Sequence, residues 1–94
     1  MAEKITREMK LLNKYGMHVR PAGLFAKLAS RYESEIVVEK DGNVVSGKSI
    51  MALMTLEAIC GTTLKVTAEG ADAKAALDDL EALVERKFDI PDEQ

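Results

Sequence analysis

The chain has 94 residues, a formal net charge of −3 and 31% charged side chains, with two Tyr, two Phe and no Trp. That is one domain, 1–94, whose modest core must be Leu, Ile, Val, Ala and Met, and whose charge balance excludes a general nucleic-acid binder. With one Cys, one His, no long apolar run and no signal-like N-terminus, the composition also excludes an internal disulfide, a closed zinc site and a membrane span. A cytoplasmic monomer without metal or cofactor, acting on protein partners, is the expectation.

In chain order, Ile5, Arg7, Met9 and Leu11 alternate with Thr6, Glu8 and Lys10, which predicts a first strand with one imperfect inward position at Arg7. Ala22, Phe25, Leu28, Ala29 and Tyr32 then recur at helical spacing, so a helix is expected over 19–31. Leu24 falls off that stripe and shares another face with Arg20 and Lys27. Residues 35–40 and 43–45 read as strands joined by a tight turn at Asp41-Gly42.

Ser49 precedes the run 50–57, and a serine there predicts the N-cap of a short second helix. If Leu53 and Leu56 face inward, Ile50, Met51 and Met54 are left for the surface; otherwise these are scattered apolar or core-filling residues. Gly61 is expected to stop this segment, with Cys60 as a small buried residue at the helix end. Leu64, Val66 and Ala68 mark a fourth strand over 63–68. From Asp72 onward Ala73, Ala76, Leu77, Leu80, Leu83, Val84 and Phe88 repeat at helical spacing, Pro91 ends the pattern, and residues 89–94 are expected to fray. The order β-α-β-β-α-β-α demands an α+β domain with helices on one face of a mostly antiparallel sheet.

The only histidine lies in Gly16-Met17-His18-Val19-Arg20-Pro21-Ala22. Proline is favoured in the first turn of a helix, so the helix starts near 19–21 and leaves backbone N–H groups pointing back at His18, an arrangement suited to a phosphoryl group. A protonated ring is misplaced at the positive end of a helix, which favours a neutral His18 with a nitrogen free to attack. Arg20 and the helix amides would then be counter-charges for a phosphorylated ring. The competing reading is that His18 fills a cap or loop position and nothing more.

The segment Asn13-Lys14-Tyr15-Gly16-Met17-His18-Val19-Arg20-Pro21-Ala22 resembles the active-site signature of the histidine-containing phosphocarrier family, HPr, and its nitrogen-branch relative. The resemblance runs over nearly the whole chain. It implies an open-faced β-sandwich, a four-stranded antiparallel sheet covered on one face by three helices. It also implies a phosphoryl relay and not an independent enzyme: enzyme I of the phosphoenolpyruvate-dependent phosphotransferase system as donor, and an enzyme IIA domain as acceptor. By the same resemblance His18 is phosphorylated through Nδ1, and Arg20 stabilises the phosphate. Lys48-Ser49-Ile50-Met51 matches the segment on which a serine kinase, and a phosphorylase reversing it, act in many HPr proteins. Ser49 is thereby a regulatory site, or a simple cap.

Leu24, Lys27, Ile50, Met51 and Met54 form the expected partner-docking surface. Tyr15, Met17 and Val19 depart from the sugar-branch pattern toward the nitrogen branch, whereas Lys48-Ser49 resembles ordinary HPr, so both branches stay open. A regulatory binding module switched at Ser49, with little role in sugar uptake, is the alternative function. A hydrolase built on Cys60 and His18 is disfavoured because neither residue has an evident orienting partner.

Overall fold

In a computed structural model, which describes residues 3–91, the elements follow the expected order. They are β1 (Glu3–Lys10), α1 (Val19–Ala29), β2 (Glu35–Lys40), β3 (Asn43–Ser46), α2 (Ile50–Met54), β4 (Thr63–Gly70), α3 (Ala73–Glu85) and a single left-handed turn over Lys87–Asp89. The strands form one antiparallel sheet in the order β1-β4-β2-β3. One face is covered by the three helices; the other is open, and Thr6 and Thr67 there join their hydroxyls across β1 and β4 at 2.8 Å.

Strand alternation sets the covered face. Ile5 pairs with Ala68, Arg7 with Val66 and Met9 with Leu64, while Ile36 and Val38 of β2 continue the rows from the other side. Against them pack Ala22, Phe25 and Ala29 of α1, Leu53 of α2, and Ala76, Leu77, Leu80 and Val84 of α3, all buried. Each large side chain taken from water here contributes about 1.5–3 kcal/mol. Arg7, the imperfect position, reaches past the core edge: its Nη1 donates to Asp78 Oδ1 at 2.6 Å and Glu81 Oε1 at 3.2 Å on α3.

The hairpin turns at Asp41-Gly42, where both residues have positive φ (52° and 83°), the conformation that favours this dipeptide. Five expectations are corrected. The first helix ends at Ala29, capped by Ser30, whose N–H bonds the Ala26 carbonyl; Arg31 and Tyr32 then turn back onto Leu28 and Ala29. The second helix is five residues long and stops at Met54, well before Gly61, because Glu57 turns left-handed and the Lys40 ammonium takes the carbonyls of Leu56 (3.0 Å) and Glu57 (3.3 Å).

Cys60 is consequently not at a helix end and not buried. It is exposed in the loop that follows, with its thiol 3.7 Å from the Leu12 carbonyl. The third helix ends at Glu85, and Phe88 reaches the core from the left-handed turn that comes after it. Residues 89 and 90 are ordered against the fold, and Ile90 is buried, so the expected fraying fails there; residues 92–94 lie outside the described residues. No helix among the described residues is long and apolar enough to cross a membrane.

Candidate functional site

The loop between β1 and α1 is built around Gly16. Its N–H donates to the Asn13 carbonyl (3.2 Å), and its own carbonyl accepts both the Asn13 side-chain amide (2.7 Å) and the His18 N–H (3.0 Å). Asn13 is buried to carry out this role, and its Oδ1 has no partner. The next residue, Met17, donates its N–H to the Ala58 carbonyl at 2.8 Å and buries its side chain, which stitches the loop to the segment after α2. Gly16 has φ +66°, and a Cβ there would stand 2.2 Å from the Ala58 oxygen, so the close approach admits only glycine.

His18 follows at the N-cap of α1, with extended backbone (φ −89°, ψ −173°), and its carbonyl accepts the Ala22 N–H at 2.9 Å. Its side chain makes no capping hydrogen bond. The half-buried ring meets Tyr15 edge to face, centroids 6.0 Å apart at 90°, while the Lys14 ammonium sits 5.3 Å from the Tyr15 ring centre. Because Pro21 has no N–H, only Val19 and Arg20 offer amide hydrogens ahead of Ala22; the first turn therefore supplies two backbone donors. Arg20 is exposed and, among the described residues, has no ion-pair partner. A free imidazole at the start of a helix beside an unpaired guanidinium can accept an anionic group and hold it.

Ser49 is the N-cap of α2, and its hydroxyl accepts the Ala52 N–H at 3.1 Å. Helices α1 and α2 adjoin, since a methyl group on Gly23 of α1 would lie 3.9 Å from Ile50 Cδ1. Leu24 and Lys27 on α1 and Ile50, Met51 and Met54 on α2 are all exposed, Met51 at 80%. Leu53 and Leu56 face inward.

Sequence reasoning assigned no contact role to Tyr15, Val19, Leu12 or Ile59, although all four are exposed apolar side chains on or beside the histidine loop. Tyr15 and Val19 flank His18 and were legible as departures from a pattern. Ile59 arrives only through the contact of its segment with Gly16 and Met17, for which the sequence carries no signal. A groove of about 530 Å³ lies along the edge of the sheet at Val37, Val44 and Val45, and none of the expected site residues lines it. Among the described residues no group of three or more His, Cys, Asp or Glu could hold a metal.

The model for the "PTS HPr component phosphorylation site" family matches residues 5–86. The chain is 40% identical to the phosphocarrier protein HPr of Treponema pallidum, over 90% of this chain and 97% of that one. It is also 40% identical to the phosphocarrier protein NPr of Shewanella violacea, over 92% and 94%. Its fold superposes on the crystal structure of an HPr dimer from Thermoanaerobacter tengcongensis with a TM-score of 0.73 and 45% identity, covering 85% and 92% of the two chains.

Proposed function

The chain belongs to the HPr family, and from that premise we propose that His18 carries the phosphoryl group, received from enzyme I and passed to an enzyme IIA domain. A phosphocarrier of the phosphotransferase system is a relay and not an independent enzyme. What supports His18 as the carrier is one arrangement: a ring at a helix N-cap that, among the described residues, has no hydrogen bond of its own, two residues from an Arg20 that has no ion-pair partner among them.

In the proposed step a neutral His18 nitrogen, Nδ1 by family resemblance, attacks the phosphorus held on the donor's histidine. The new P–N bond forms as the old one breaks, and the departing imidazole keeps the electron pair and is protonated. Arg20 and the Val19 and Arg20 amides take up charge on the phosphoryl oxygens. Release to an acceptor reverses the same steps. Leu24, Lys27, Ile50, Met51 and Met54 supply the docking surface, in the cytoplasm and from a monomer. Ser49, next to Ile50 and Met51 on that surface, is the proposed target of a regulatory serine kinase and phosphorylase.

The test is incubation with phosphoenolpyruvate, magnesium and a cognate enzyme I. One phosphoryl group is expected, lost in acid and retained in base, because protonation turns phosphorylated imidazole into a leaving group. His18→Ala gains none; Arg20→Ala is phosphorylated but transfers more slowly. Sugar-branch and nitrogen-branch IIA domains, offered side by side, identify the acceptor. Phosphate that survives acid, or that appears on His18→Ala, overturns the relay in favour of a module switched at Ser49.

A further inference from the structure

A nucleophilic imidazole is usually held in one orientation by a hydrogen bond to its second nitrogen. His18 lacks that restraint: its side chain makes no capping bond, and no other described side chain hydrogen-bonds its ring. The oriented contact it does make is with Tyr15, edge to face at 6.0 Å and 90°, the geometry that ring quadrupoles favour. Tyr15 is itself more than half exposed, and the Lys14 ammonium stands over its ring at 5.3 Å, a cation–π contact that favours this placement of the ring. The loop beneath both is fixed by Asn13, Gly16 and Met17.

Resting on the reading of His18 as the phosphoryl carrier, we propose that Tyr15 is a positioning residue for the reaction, holding the His18 ring in the orientation from which it attacks. Exposed side chains exchange among staggered wells, and a ring that must find one of them at each encounter reacts in proportion to the time spent there. An aromatic contact replaces the missing hydrogen bond and leaves both ring nitrogens unengaged, one for the phosphorus and one for the proton. Lys14 acts one step further out, by restraining Tyr15.

The test uses phosphoramidate, a small phosphoryl donor that needs no partner protein. Its P–N bond to ammonia breaks as the P–N bond to His18 forms, and ammonia leaves with the proton. Followed by phosphorus NMR, Tyr15→Ser is expected to react about two- to tenfold more slowly than the parent, the factor an aromatic pair of this geometry contributes. Tyr15→Phe restores most of the rate, and three-bond couplings of His18 show one rotamer in the parent and averaging in Tyr15→Ser. With enzyme I as donor, kcat falls and KM holds. Melting temperatures check that both variants fold, as substitution at an exposed loop position should allow.

An unchanged phosphoramidate rate in Tyr15→Ser overturns the proposal. So does a rise in KM alone, which makes Tyr15 a docking contact, or a loss in Tyr15→Phe equal to that in Tyr15→Ser, which assigns the effect to the hydroxyl. If enzyme I fails to charge the parent while the phosphoramidate difference persists, the relay reading falls and the positioning of His18 stands.

Discussion

Replacing Gly16 with Ala puts a methyl group 2.2 Å from the Ala58 oxygen and 2.8 Å from Ile59 Cα, both backbone atoms that no rotamer change can move aside. The left-handed φ of +66° adds about 1–2 kcal/mol for a residue with a Cβ. Relieving the overlap forces the two segments apart, at the roughly 1–3 kcal/mol typical of overpacking. It also endangers the Met17 to Ala58 hydrogen bond, a further ~1 kcal/mol. Against this stands ~0.4–1 kcal/mol from the stiffer unfolded chain. The net loss is about 3 kcal/mol, or roughly 12–24 °C in melting temperature for a domain of this size.

Thermal and urea melts of Gly16→Ala and Gly42→Ala measure this directly, since Gly42 has φ +83° but nothing within 4 Å of the place a Cβ would take, and should lose only the conformational part. Equal losses in the two variants would refute the claim that the histidine loop is set by close approach to residues 58 and 59.

Other consequences can be measured. Ile50→Glu and Met51→Glu should weaken enzyme I binding about tenfold while changing stability by no more than ~0.5 kcal/mol, whereas Leu53→Ala, fully buried, should cost about 2–5 kcal/mol; titration calorimetry and urea melts separate the two effects. Ser49→Asp should keep α2, because Asp caps as well as Ser, yet slow charging of His18 through added negative charge on the docking surface; an unchanged rate in a phosphotransfer assay leaves Ser49 as a cap alone. The Ser34 hydroxyl, then the Glu33 amide, hold the Asp72 carboxyl below its usual range. A folded-state pKa below the unfolded one gives stability that is complete above about pH 3.9 and is lost as the pH falls through the folded value. The urea midpoint of Asp72→Asn should therefore fall less steeply than the parent's below pH 4, and parallel curves would remove Asp72 from the acid limb.

The strands, the hairpin and the two long helices were legible because each is specified by residues close in sequence: alternation in β1 and β4, Asp41-Gly42 at the turn, apolar stripes along α1 and α3. What was not legible depends on distant partners. Nothing in residues 50–57 says that Lys40 will capture two of their carbonyls and end the helix at Met54. Lys87, Phe88 and Asp89 all have φ between 55° and 58° without a glycine among them, against local preference, and the burial of Phe88 and Ile90 offsets the cost. A helical stripe ending in Phe88 predicts the right buried residue on the wrong backbone.

The candidate site divides in the same way. His18, Arg20 and Pro21 are neighbours, so their meeting at a helix start could be read from the chain, but that Arg20 has no ion-pair partner among the described residues depends on where the fold places the acids. Arg7, Lys40, Lys74 and Arg86 each reach a carboxylate, and the acids of α3 lie where Arg7 and Lys74 use them. Arg20 and Lys27, on a helix that contains no acid, find none among the described residues. A chain of net charge −3 thus presents uncompensated cations beside exposed Leu24, Ile50 and Met51, while its paired charges lie elsewhere. In the proposed relay, a donor bearing an anionic phosphoryl group would meet cations on this surface despite the protein's negative overall charge, which would favour encounter where the group can reach His18. Raising the ionic strength should accordingly slow charging by enzyme I through kon, and an association rate indifferent to salt would remove Arg20 and Lys27 from the encounter.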